Sequence, residues 1–396
     1  MAQPEPVRLA PPGRTAEPDD ARPAERALLA AASACDGDVA PMLALLGAGR
    51  APDTEAAAPD AAPLELPLTG EGRTRQQWEL LASVAAQDLS AARVLEPHLD
   101  ALSILSQASV PAPAGLLGVY ASESGGRTPR LTPAPHDDDA GSASDGRPDA
   151  GPDAWLLDGE KPWCSLADEC AAAVITGREA DGTRRAVLVD LDHPGVAETS
   201  SAWPALGLAP IRTVGLGFDA VPGTAVGGPE WYLRRPGFAW GGIGVAAVWF
   251  GGAVGIARTL RDATRSRAAA EAEGRGPGPD QVAQAALGRV DRLLHAMAAL
   301  LARAAEDVDA GRLDHGRGMV EADRIRGTVA QLCTEVVDVV GQATGPGPLT
   351  GDAAHARAVA DLQVYLRQHH GHRDDARLAE GLLALDPADR AGVQPW

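Results

Sequence analysis

The chain has 396 residues, with 35 basic against 54 acidic side chains and a formal charge of −19. With 45% hydrophobic and 22% charged residues it can bury a sizeable core and is not globally disordered. A field of that sign repels nucleic acid and anionic lipid, so neither is expected as a partner, and any anionic ligand needs a local arginine patch.

Residues 1–25, rich in proline and charge, are expected to form a disordered tail. An N-terminal helical domain follows over 26–112. Leu28, Leu29 and Ala32, then Met42, Leu43, Leu45 and Leu46, recur at helical spacing, as do Trp78, Leu80, Leu81, Val84, Leu89, Val94 and Leu95. A middle β domain is expected over 113–235. It opens on the run Leu116–Tyr120 and contains a Pro/Gly/Asp/Ser-rich flexible loop over 128–153. Short apolar runs at Ala154–Leu157, Ala172–Thr176, Arg185–Asp190, Gly195–Thr199 and Val214–Phe218 alternate with Asp-Gly and Pro-Gly turns, the pattern of a small antiparallel barrel or sandwich. From 236 to 386 the chain reads as a helical bundle, with candidate helices over 240–272, 280–310, 319–343 and 353–370.

The uncharged stretch Pro236–Ala257 is long enough to span a bilayer. Its seven glycines suit a helix packed closely by other helices, so no membrane span is expected. The start of the chain has no apolar run of the kind that directs export. The four cysteines (Cys35, Cys164, Cys170, Cys333) are too scattered for a disulfide framework or a zinc site. A cytoplasmic protein is expected. Lys161 is the one lysine, every other basic residue being arginine.

An α+β chain ordered as N-terminal helical domain, middle antiparallel β-barrel and C-terminal four-helix bundle resembles the acyl-CoA dehydrogenase family of flavoproteins. Asp158-Gly-Glu-Lys-Pro-Trp-Cys-Ser165 is similar to a family segment in which a tryptophan packs on the flavin ring and a hydroxyl bonds near its reactive N5 edge. The resemblance assigns those roles to Trp163 and Ser165. Tyr120–Gly126 resembles a loop that contacts flavin and thioester, with Ser122 and Glu123 in the contact positions. Gly217–Pro222 looks like a barrel strand of the family, preceded by Arg212-Thr213. Gln281 falls where a glutamine reaches the cofactor pyrophosphate, often of a neighbouring subunit, and Gly341–Gly345 where a glycine-rich loop holds flavin phosphate or ribose. His372–Arg377 resembles the family's Arg-Asp-Ala-Arg.

The resemblance implies non-covalently bound FAD, an acyl-CoA or other acyl thioester as substrate, α,β-dehydrogenation, a homodimer or homotetramer, and an electron-transfer partner. The family's base lies beyond the Arg-Asp, and the candidate is Glu380, six residues after Asp374. His369 and His372, read as one helix face, suggest a reduced-flavin monooxygenase or oxidase on the same fold instead. A third reading is a non-catalytic flavin-binding or scaffold homologue. Arg258, Arg261 and Arg265 repeat at helical spacing, where they could meet a pyrophosphate or face solvent.

Overall fold

A computed structural model describes residues 4–9, 23–47, 64–123, 126–135, 154–200 and 203–386. Four helices come first: α1 (Pro23–Ala34), α2 (Ala40–Leu45), α3 (Thr74–Ala85) and α4 (Leu89–Gln107). Asp88 caps α4, its carboxylate accepting from the Ala91 amide at 2.7 Å. Seven strands follow: β1 (Leu117–Tyr120), β2 (Arg130–Pro133), β3 (Ala154–Ser165), β4 (Ala172–Arg178), β5 (Arg184–Asp190), β6 (Val196–Glu198) and β7 (Thr213–Ala225). After the short α5 (Trp231–Arg234) come α6 (Pro236–Ala272), α7 (Gln281–Asp309), α8 (His315–Thr344), α9 (Gly347–Gly351), α10 (Ala353–Tyr365) and α11 (His372–Ala384).

The strands β4, β2, β3, β7 and β5 pair in that order and close on themselves through β5–β4, which removes the free sheet edges within the ring. β1 adds to β4 and β6 to β7. The barrel is not wholly antiparallel as expected: β1 runs parallel to β4, and so does β2 at its Arg130–Arg178 pairing. Apolar alternation identifies a strand, whereas direction is set by which neighbour it meets across intervening chain. The predicted loop over 128–153 also needs correction, because β2 occupies 130–133 and pairs with Trp155–Asp158 of β3; residues 136–153 lie outside the described residues.

The expected tail is likewise not free throughout. Val7 and Leu9 are buried, and the Val7 amide donates to Ser83 Oγ at 2.8 Å. Arg258 donates to the Glu5 carbonyl at 2.7 Å and Arg261 to the Glu5 carboxylate at 2.7 Å, so these two arginines tie down the N-terminal segment.

Helix α6 is apolar and long enough to cross a membrane, yet 78% of its most apolar window is buried inside the protein. Its glycines explain how. A Cβ on Gly251 would lie 2.6 Å from Ala82 Cα of α3, one on Gly255 2.8 Å from the Ala86 oxygen, and one on Gly252 2.8 Å from Leu89. Hydrogen alone lets the two backbones touch. All four cysteines are buried thiols. Burial pushes Cys35 up to about 11 and Cys164 and Cys170 up to about 12.

Candidate functional site

Strand β3 pairs with β7 with two register slips, one between Leu157 and Gly159 and a second between Lys161, opposite Leu216, and Cys164, opposite Val214. Such a bulge re-aims side chains. Lys161 and Cys164 point into the interior, both fully buried, while Trp163 between them adopts φ +68° and stands out, 48% exposed. Left-handed backbone at a bulky residue is strained, and its retention marks a position where the direction of the side chain matters. Trp203, 45% exposed, meets Trp163 edge-on with ring centroids 4.5 Å apart.

This indole pair lines a cleft of about 1200 Å³ between the barrel and the helices. Ser165 and Thr213 also line it, their hydroxyls 2.9 Å apart, and the Ser165 carbonyl accepts from Tyr120 Oη at 3.1 Å. The Trp203 loop is fixed from the helical side. The Leu208 amide donates to Asp361 Oδ1 of α10 at 2.5 Å, Asp361 Oδ2 accepts from Ser90 Oγ, and a Cβ on Gly207 would lie 2.7 Å from the Ala360 carbonyl carbon.

Ser122 and Glu123 reach the cleft at the end of β1. Glu123 is clamped by Arg184 Nε and Arg178 Nη2, each at 2.7 Å. The Arg184 bond, with Arg178 adding to it, holds the Glu123 carboxyl down at about 2. A carboxylate so stabilised is a poor proton acceptor near neutral pH. Beneath it, Lys161 Nζ donates to the Thr176 carbonyl and Thr176 Oγ1, both at 2.9 Å, and Thr176 Oγ1 donates to the Ala121 carbonyl. The lone lysine therefore anchors the loop that carries Ser122 and Glu123.

Burial lowers Lys161 from 10.5 to about 8. Between those values the unfolded chain binds the proton and the native chain does not, so native stability rises with pH across that window; below it both states hold the proton, the cost of burying the charge is fully present, and this group adds no pH dependence. Melting temperatures of the parent and of Lys161→Met should therefore diverge in the parent's favour as pH goes from about 8 to 10.5. A difference that does not vary with pH would show that Lys161 keeps an ordinary amine.

On the helical side Arg93 of α4 pairs with Glu96 at 3.1 Å, and Tyr365 Oη donates to the same carboxylate at 3.2 Å. Arg326 of α8 reaches the cleft with its guanidinium 4.8 Å from the centroid of the buried Trp249 ring.

Several solved structures share this architecture. Butyryl-CoA dehydrogenase of Megasphaera elsdenii is 14% identical and superposes over 91% of this chain and 98% of that one, with a TM-score of 0.67. A nitrososynthase of Micromonospora carbonacea var. africana is 22% identical over 92% and 98% of the two chains, TM-score 0.64. The dibenzothiophene monooxygenase TdsC of Paenibacillus sp. A11-2, in complex with FMN and indole, is 17% identical over 76% and 82%, TM-score 0.62. This chain has the acyl-CoA dehydrogenase fold. No protein-family model and no curated protein matches it.

Within the acyl-CoA dehydrogenase fold, the structure brings Trp163, Ser165, Ser122, Glu123, Arg212 and Thr213 to one cleft and leaves Glu380, His369, His372, Gln281, Gly341 and Gly345 outside it. Glu380 is exposed on α11, whose helix runs on to Ala384, and it does not line the cleft. His369 and His372 do not share a helix face: a 3-10 turn ends at Gln368, α11 begins at His372, and Gly371 breaks the helix between them with φ +57°. His372 is fully exposed, and the His369 ring packs beside Gly327 of α8. His370 is the histidine that lines the cleft, its Nδ1 3.4 Å from Asp374. Gln281 starts α7, Gly341 lies in the last turns of α8 and Gly345 caps it; none lines this chain's cleft. Trp203, Arg326 and His370 were not singled out from the sequence. Trp203 follows Trp163 by forty positions with no periodic pattern to link them, and Arg326 lies within an ordinary amphipathic helix.

Proposed function

We propose that the protein is a flavin-dependent oxidoreductase whose cleft holds the flavin ring against Trp163, and that it acts with dioxygen on an organic substrate. The observation that carries this reading is the bulge that projects Trp163 into the cleft beside Trp203 and the Ser165–Thr213 hydroxyl pair. The residues fit the group: two half-exposed indoles offer apolar area to a planar ring, and the two hydroxyls place polar hydrogen-bonding oxygens at its edge. Bound flavin supplies two-electron redox chemistry at that edge. Ser165 and Thr213 would orient the ring, Trp163 would back one face, and the loop pinned by Asp361 would keep water from it.

Of the two chemistries weighed above, dehydrogenation of a thioester needs a base at the substrate's α-carbon. Glu380 is outside the cleft, and Glu123 is neutralised by two arginines. Oxygen insertion makes no such demand: one oxygen atom would enter the substrate and the other leave as water, with the two electrons and two protons that this needs drawn from reduced flavin and solvent. His370, next to Asp374, would hold or pass a proton at its imidazole. FMN and FAD share the part of the molecule that this cleft would take. In this reading Gln281, Gly341 and Gly345 serve the cleft of a second copy.

The test is to load the purified chain with FMN or FAD, reduce it anaerobically and admit oxygen with candidate substrates, while a parallel sample of oxidised protein receives acyl-CoA. Flavin binding with substrate-dependent oxygen uptake supports the proposal. Bleaching by acyl-CoA would replace it with the dehydrogenase reading, and bound flavin that turns over with neither would point to a non-catalytic homologue.

A further inference from the structure

Five arginines line the cleft of a chain whose net charge is −19: Arg93, Arg184, Arg212, Arg326 and Arg367. Three are neutralised within the protein. Arg93 faces Glu96, Arg184 faces Glu123 and Glu230, and Arg212 faces Glu198 and Asp168. The remaining two lie on one wall, where α8 meets the turn after α10, and neither has a carboxylate within ion-pair distance among the described residues.

Arg326 is the more telling of the two. Its guanidinium is held by two carbonyl oxygens, Gly242 at 2.7 Å and Gln368 at 3.2 Å, and by the face of Trp249. Carbonyl dipoles orient a guanidinium without cancelling its charge. Asp374, Asp323 and Glu96 lie near enough to favour its charge without an ion pair to it, and an arginine so fixed presents its remaining donors in a rigid fork that matches an oxyanion. Arg367, exposed one residue before Gln368, adds a second positive charge to the same wall.

We propose that this wall is an oxyanion subsite, and that the organic substrate carries a carboxylate or phosphate that Arg326 binds as the barrel wall holds the flavin. The proposal rests on the flavin reading only for the identity of the other ligand. The indoles and hydroxyls lie on the barrel wall and the two guanidinium groups without an ion-pair partner on the helical wall, so one cleft offers two chemically distinct surfaces.

The experiment measures thermal stabilisation of the protein by pyrophosphate and by succinate, with and without flavin, and affinity for FMN against riboflavin by fluorescence quenching. It uses the parent, Arg326→Gln, Arg326→Lys and Arg367→Gln. The expected result is stabilisation by at least one anion in the parent, weakened roughly tenfold to hundredfold in apparent affinity by Arg326→Gln. Arg326→Lys should recover only part of the loss, Arg367→Gln should lose severalfold, and the FMN-to-riboflavin ratio should stay the same in all four. If Arg326→Gln fails to fold, Arg367→Gln decides, since its side chain makes no hydrogen bond or ion pair among the described residues. An FMN preference that collapses in Arg326→Gln would assign the oxyanion to the flavin phosphate and overturn the substrate assignment. Anion effects that are absent in the parent, or that persist unchanged in both charge-removing variants, would overturn the subsite itself. Anion binding without flavin binding would refute the flavin reading and leave the subsite standing.

Discussion

Gly251→Val should leave little or no folded protein. The new Cβ would lie 2.6 Å from Ala82 Cα and overlap its carbonyl, so the clash is backbone against backbone and no rotamer change relieves it. Overpacking of a core typically costs about 1–3 kcal/mol, and here the whole α3–α6 contact must open to admit the side chain. Because backbone cannot yield as a side chain does, the loss exceeds that range and takes most of a total stability of about 5–15 kcal/mol. Gly288→Ala is the control. It sits within α7 with nothing within 4 Å of the added methyl, so better helix propensity should stabilise the chain by about 0.5–1 kcal/mol. Urea denaturation of both variants checks the pair. A Gly251→Val protein with parental midpoint would mean that α6 does not pack on α3 as described.

Trp163→Ala should separate ligand binding from stability. Removing the indole deletes the apolar face offered to the flavin ring, a loss of about 1.5–3 kcal/mol, or roughly tenfold to hundredfold in flavin affinity. The fold should survive, because the ring stands out from the barrel rather than inside it. Trp163→Gly should lose the same affinity and yet be the more stable of the two by about 1 kcal/mol, since glycine accepts φ +68° without penalty. Flavin fluorescence titration together with thermal melts reads both quantities. Equal flavin affinity in parent and alanine variant would remove Trp163 from the site.

The order of helices, strands and helices was legible because apolar periodicity reports local structure directly. The site was legible where short segments carry it: Lys161, Trp163 and Ser165 are close in sequence, as are Ser122 and Glu123, and the bulge that separates buried lysine from exposed tryptophan is a local event. What required distance in sequence was missed. Trp203 acquires meaning through a ring contact with Trp163, and Arg326 through carbonyls contributed by α6 and by the turn after α10. Glu380 was misplaced for a related reason. Counting residues from Asp374 assumes a loop, whereas Leu378 and Leu382 pack with Val320 and Leu385 and keep the segment helical. β2 was hidden in turn-like composition because its flanking prolines look like loop signals, and only the mate on β3 reveals the strand.

The four thiols offer a last consequence. Every cysteine is buried, and burial raises each thiol's pKa, so almost no thiolate is available while the protein stays folded. They sit in different layers: Cys35 just beyond α1, Cys164 and Cys170 around the barrel, and Cys333 deep in α8. An alkylating reagent therefore acts as a clock on opening rather than on chemistry, and the order in which the four positions are labelled would time the release of the N-terminal helices, the barrel and the helical bundle separately.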